Sequence, residues 1–169
     1  MQTTQSTSRS STADREIVTT RLIDAPRELV YEAFTDPEHV RHWFGPEGFI
    51  TTTRSMDVRP GGKWNFVMRG PDGTDWPNVV TYQEVTPPSR LRYLHGDDRE
   101  PDMFSVTVTF DDEGGKTALT MRAVFKTAAA REFVARERGA VEGAQQTIAR
   151  LDAYVRGPVD FRTPRSTLV

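Results

Sequence analysis

Cysteine is absent from this chain of 169 residues, which excludes disulfides, thiol catalysis and zinc sites built on thiolates. Histidine is scarce: His39, His42 and His95 are the only three, and no pair has a metal-ligand spacing with a third donor beside it. His39 and His42 share a short helix, where surface positions are expected. Long hydrophobic runs are missing as well, none approaching the roughly 18–20 residues that a membrane-spanning helix requires. Neither sign of charge prevails: a net charge of −2 gives no electrostatic reason for nucleic acid or an acidic membrane as partner. The pairs Gly61-Gly62 and Gly114-Gly115 fall in hairpin turns, without the strand-to-helix setting of a phosphate loop. No metal and no cofactor are therefore expected. The cysteine-free composition fits a reducing cytoplasm, taken here as the expected location.

What remains is an ordinary globular composition, 36% hydrophobic and 27% charged, of a size for one domain with tails. Residues 1–13 are rich in Ser, Thr and Gln, lack the apolar centre of a secretory signal, and are expected to form a disordered tail. Residues 14–156 are expected to form the domain, and 157–169 a C-terminal extension. Residues 16–24 alternate as a strand does, and Ala25-Pro26 leads into a helix with Leu29, Val30, Ala33 and Phe34 on its apolar face. The next stretch, TDPEHVRHWFGPEGF (35–49), opens a second short helix with Thr35 or Asp36 as N-cap and Pro37 at the first helical position. It stops on Trp43 and Phe44, ahead of the breaker run Gly45-Pro46-Glu47-Gly48. Two large apolar side chains are thus delivered to one place, either to plug a core or to close a pocket.

Strands are predicted over 50–58, 63–69, 79–86, 90–95, 104–110 and 118–125, separated by turn-forming residues. In KWNFVMR, Trp64, Phe66 and Met68 share one face. From Thr127 the period becomes helical, and one long helix is expected to run to Val155. Its apolar stripe is Phe133, Ala140, Val141, Ala144, Ile148, Leu151 and Val155, while Gly139 and Gly143 imply a bend or a close approach to another backbone. The predicted fold class is α+β: a curved antiparallel sheet of about six to seven strands wrapped around a long C-terminal helix, with two short helices after the first strand. A curved sheet that wraps a helix leaves room for a pocket between them.

With that order in place, four stretches carry a resemblance: IDAPRELVYEAFTDPEHVRHWFGPEGF, DVRPGGKWNFVMRGPDG, YQEVTPPSRLRY and EGAQQTIARLDAYV. Their order and spacing resemble the START-like superfamily of helix-grip domains, also called SRPBCC or birch-allergen-like. Within it, the chain is similar to bacterial homologues of the activator of the 90-kDa heat-shock protein ATPase (AHSA-type). The resemblance implies a helix-grip fold, but relatives include ligand carriers, cyclases and co-chaperone domains, and shared fold does not carry activity across. Relatives often have a large aromatic after the Glu-Gly of the last helix. Here Ala144 follows Glu142-Gly143, which implies a wider pocket if that position faces inward.

The leading expectation is a domain that binds a small hydrophobic or aromatic molecule. Its wall is drawn from Trp43, Phe44, Trp64, Phe66, Met68, Trp76, Tyr82, Phe125, Phe133, Val141 and Ala144, with Trp43 and Phe44 at the mouth as gate, or divided between core and rim. A second expectation is a cyclase- or hydrolase-like enzyme using Glu84, Tyr82 or His95. Tyr82 and Glu84 would share a strand face, and a buried carboxylate beside a phenol would have a raised pKa suited to acid–base work. No catalytic constellation stands out, so binding leads. A third is a co-chaperone-like interaction module. Those relatives carry an additional N-terminal domain that this sequence lacks, so chaperone stimulation is not expected. A strand edge or the outer sheet face would support a homodimer.

Overall fold

A computed structural model describes residues 11–157; residues 1–10 of the tail expected over 1–13, and residues 158–169 of the extension expected over 157–169, lie outside the described residues. After a single 3₁₀ turn at Ala13–Arg15 come strand β1 (Glu16–Ile23), helix α1 (Arg27–Thr35) and the short helix α2 (Pro37–Val40). Six more strands follow: β2 (Ile50–Met56), β3 (Lys63–Arg69), β4 (Asp75–Thr86), β5 (Arg90–Gly96), β6 (Phe104–Glu113) and β7 (Lys116–Phe125). Helices α3 (Ala128–Glu137) and α4 (Ala140–Arg156) close the described chain. All seven strands form one antiparallel sheet in the order β1-β7-β6-β5-β4-β3-β2. This is the helix-grip arrangement. No helix among the described residues is long and apolar enough to cross a membrane.

Register decides which side chains point inward, because residues directly opposite across an antiparallel pair share a face. Tyr93 stands opposite both Tyr82 and Val106, and Val108 stands opposite both Leu91 and Met121. All but Met121 are buried, so they mark the inner face. It meets α1 and α4 through Val30, Phe34, Ile148 and Leu151, which complete the core. Along α4 the buried positions Thr147, Ile148, Leu151, Asp152 and Val155 recur at helical spacing. The buried Asp152 is held by Arg21 Nε at 2.7 Å and Arg156 Nε at 2.9 Å, so the one charge on that stripe has partners.

The expected single long C-terminal helix is corrected to two. Thr127 caps α3, its hydroxyl accepting from the Ala130 N–H at 3.0 Å. The helix ends at Arg138, and Gly139 follows at φ +60° and ψ 38°. That left-handed conformation costs a residue with a Cβ about 1 kcal/mol, and it redirects the chain between α3 and α4. Gly143 serves the other predicted purpose, although what approaches it is a side chain: a Cβ there would stand 3.2 Å from the Pro46 ring.

Tyr31 packs edge-on against Phe110 with ring centroids 5.2 Å apart. Its hydroxyl is buried and meets no hydrogen-bond partner among the described residues. Desolvation pushes the phenol pKa up to about 12. Tyr31→Phe removes this unsatisfied group while keeping the ring, so urea unfolding should show a stability gain of about 1 kcal/mol. A loss of that size would show that the hydroxyl has an essential partner.

Candidate functional site

The segment over residues 35–49 resolves into a plug. Asp36 is the N-cap of α2, its carboxylate accepting from the Glu38 N–H at 2.8 Å, and α2 makes only one turn before Trp43 and Phe44. Trp43 is 0% exposed; its indole N–H donates to the Ala33 carbonyl at 3.1 Å, and its ring lies edge-on to Phe34 at 4.8 Å. Phe44 lies edge-on to Trp64 at 4.9 Å and to Phe66 at 5.6 Å, and Trp64 stacks on Phe66 at 3.8 Å. These four rings are buried core. The expected placement of Trp43 and Phe44 at a cavity mouth is therefore corrected: both lie inside the core. Arg150 of α4 straps the following loop down, its guanidinium donating to the carbonyls of Gly45 and Pro46 at 2.8 and 2.9 Å.

An open space lies beside this cluster on the inner face, beneath α3, where His95 stands 5.9 Å from Phe66 between ring centroids. A cavity of about 540 Å³ is floored by Asn78, His95, Phe104 and Phe125 on β4 to β7. Register explains the floor: Val80 stands opposite His95, His95 opposite Phe104, and Phe104 opposite Phe125. The rings follow that row, with centroids 4.9 Å apart from His95 to Phe104 and 4.8 Å from Phe104 to Phe125. Ala130, Phe133, Val134 and Arg138 of α3 form the roof, and Trp76 stands at the lip. The turn after β5 closes one side. There Gly96 is obligatory, since a Cβ would fall 1.9 Å from the Glu100 carbonyl oxygen.

Of the expected wall, Trp76, Phe125 and Phe133 line this cavity, as does His95 from the acid–base candidates. Trp43, Phe44, Trp64, Phe66 and Tyr82 are core, and Met68 packs against it. Val141 and Ala144 are partly buried on α4 and do not line this cavity, so the wider pocket expected from Ala144 does not arise here. Phe104 was legible in the alternation of β6 but was not singled out. Ala130, Val134 and Arg138 were missed because a single long helix was expected.

The proposed sharing of a face by Tyr82 and Glu84 is overturned by a β-bulge. Tyr82 pairs with Tyr93 but Glu84 with Arg92, so Gln83 is the extra residue. Tyr82 turns inward to 3% exposure, where desolvation raises its phenol pKa. Glu84 turns outward, to 3.2 Å from Arg90 Nε and within reach of the Thr86 hydroxyl at 3.0 Å. The two never converge with His95 on one void.

His95 Nε2 lies 2.8 Å from Asn78 Oδ1. Desolvation in the cavity floor pushes its pKa down to about 4, from an ordinary 6.5, so the imidazole is neutral at pH 7. The unfolded chain then takes up the proton first as pH falls. Stability present above pH 6.5 should be lost progressively towards pH 4, on the order of 2 kcal/mol from this group. His95→Gln should flatten that slope in urea titrations from pH 7 to 4.5. An unchanged slope would show that His95 is not the group responsible.

Folding also gathers donors that the sequence left apart. His39 is only 1% exposed, which corrects its expected surface position, while His42 is exposed and stacks on Tyr154 at 5.3 Å. His39 Nδ1 lies 2.7 Å from the Tyr154 hydroxyl, and Nε2 lies 3.6 Å from Glu32 and 3.8 Å from Asp36. One ligand atom each from Glu32, Asp36 and His39 lies within 4.8 Å of the others, a proximity compatible with a metal ion.

Comparison with known proteins agrees with the geometry. Solved structures with this architecture include a protein from Nitrosomonas europaea, 28% identical over 85% of this chain and 96% of its own, at a TM-score of 0.76. Another, from Mycobacterium smegmatis, is 26% identical over 86% of this chain and 94% of its own, at 0.77. A third, from Chromobacterium violaceum, is 26% identical over 85% and 98%, at 0.73. No curated protein matches. A family profile described as activator of Hsp90 ATPase homolog 1-like protein matches residues 24–156, nearly the whole of the described domain, and the chain belongs to that family.

Proposed function

We propose that the chain binds a small hydrophobic or aromatic molecule in the cavity between the sheet and α3. The observation that carries this reading is the aromatic floor of His95, Phe104 and Phe125 beneath about 540 Å³ of space, a volume typical of small-ligand sites. Trp76 and Phe133, 40% and 52% exposed at the lip and roof, support it, because apolar surface left open beside a concavity favours an apolar occupant. The floor itself carries one polar pair, Asn78 Oδ1 and His95 Nε2 at 2.8 Å, and the charged groups of the lining are Asp97, Glu100, Lys126 and Arg138. A reaction of the cyclase or hydrolase type lacks support, since Glu84 points away from this space. The near-neutral net charge of −2 favours a small molecule over nucleic acid or a membrane surface as partner. A panel of lipids, flavonoids and polyketides tested by thermal shift and tryptophan fluorescence should yield members that raise Tm and change emission together. A panel with no effect on either would contradict the reading.

A further inference from the structure

We infer that the preferred ligand carries a carboxylate on its aromatic body and that Arg138 selects it; this rests on the cavity reading above. Arg138 is the C-cap of α3, immediately before the Gly139 break. Its guanidinium carbon lies 4.9 Å from the centroid of the Trp76 ring and 5.5 Å from that of Phe133. Both rings line the cavity, so the cation lies over two of its aromatic walls. Stacking leaves the N–H edge of a guanidinium free for bidentate pairing with a carboxylate.

The other charged groups of the lining are already engaged. Lys126 Nζ pairs with Glu100 at 2.9 Å and with Asp102 at 3.3 Å, and Asp97 Oδ1 accepts from the N–H groups of Arg99 and Glu100 at 2.9 and 2.8 Å. Among the described residues Arg138 has no carboxylate within ion-pair distance. Two acids and two bases line the cavity, so no net field favours either sign, and the local pairing decides. A cationic ligand would meet Arg138 over the same aromatic faces it needs. A neutral one would leave the guanidinium without a counter-charge. An anionic one supplies the partner that the fold does not.

The test uses an isosteric pair, 2-naphthoate and 2-naphthamide, titrated into the full chain by calorimetry at low salt. The carboxylate should bind at least tenfold more tightly than the amide. The preference should shrink as salt rises, disappear in Arg138→Met and persist in Arg136→Met, which removes a cation of the same helix outside the lining, with circular dichroism showing both variants folded. Equal affinity for the two compounds, or a preference that survives Arg138→Met, would overturn the inference while leaving the cavity reading intact. Binding of neither compound would also overturn the inference, while the cavity reading would still stand or fall on the wider panel of lipids, flavonoids and polyketides.

Discussion

Trp43→Ala is expected to destabilise the domain by about 3–5 kcal/mol, the cost of emptying a large, fully enclosed core site. The indole has no exposed surface, and its removal also leaves the Ala33 carbonyl without the N–H that reaches it at 3.1 Å. Phe34 and Phe44 lose an edge-to-face neighbour at the same time. Against a total stability of about 5–15 kcal/mol for a domain of this kind, such a loss should bring the urea midpoint down sharply, and part of the population should unfold at 37 °C. Trp43→Phe should recover part of the loss by refilling some of the volume. A gate residue behaves differently: truncating it would leave the midpoint nearly unchanged and alter ligand release. A midpoint within about 0.5 kcal/mol of the parent, the range of ordinary surface substitutions, would contradict the plug.

The sequence made the plug legible as a delivery device but not its destination. Pro37, Asp36 and the breaker run after Phe44 are local signals, and each acts as its chemistry requires. Destination depends on packing partners that no local signal names: Phe34 from the preceding α1, and Trp64 and Phe66 from β3 some twenty residues further on. The β-bulge at Gln83 was beyond reach for a related reason: alternation through Tyr82 and Glu84 looks regular, and only pairing with Tyr93 and Arg92 reveals the extra residue. Gly139 was visible as a weak point, yet a weak point does not say whether a helix bends or breaks. The positive φ settled it as a break, and the cavity follows from that, because α3 is thereby free to cover the end of the sheet that α4 does not.

Ala130→Trp is expected to lower 2-naphthoate affinity at least a hundredfold while leaving the fold intact. Ala130 lines the roof of the cavity, and an indole in its place would occupy the space beneath. The added bulk should be tolerated, because α3 contains no fully buried residue and the side chain enters open volume rather than packed core. Its intrinsic helix cost is about 0.5 kcal/mol, offset by the apolar surface it covers. Calorimetry for affinity and urea unfolding for stability separate the two effects. Undiminished binding in a folded Ala130→Trp chain would place the ligand elsewhere.

The three tryptophans report on two environments, which gives the central claim its most direct measurement. Trp43 is enclosed in the core at 0% exposure and Trp64 at 3%, while Trp76 stands 40% exposed at the cavity lip. Their indole N–H resonances can be followed in a ¹⁵N-labelled chain during titration with 2-naphthoate. The account predicts that the Trp76 signal moves with ligand concentration while those of Trp43 and Trp64 stay nearly fixed. Movement of the Trp43 or Trp64 signal with Trp76 unaffected would contradict it, placing the ligand in the aromatic core instead of beneath α3.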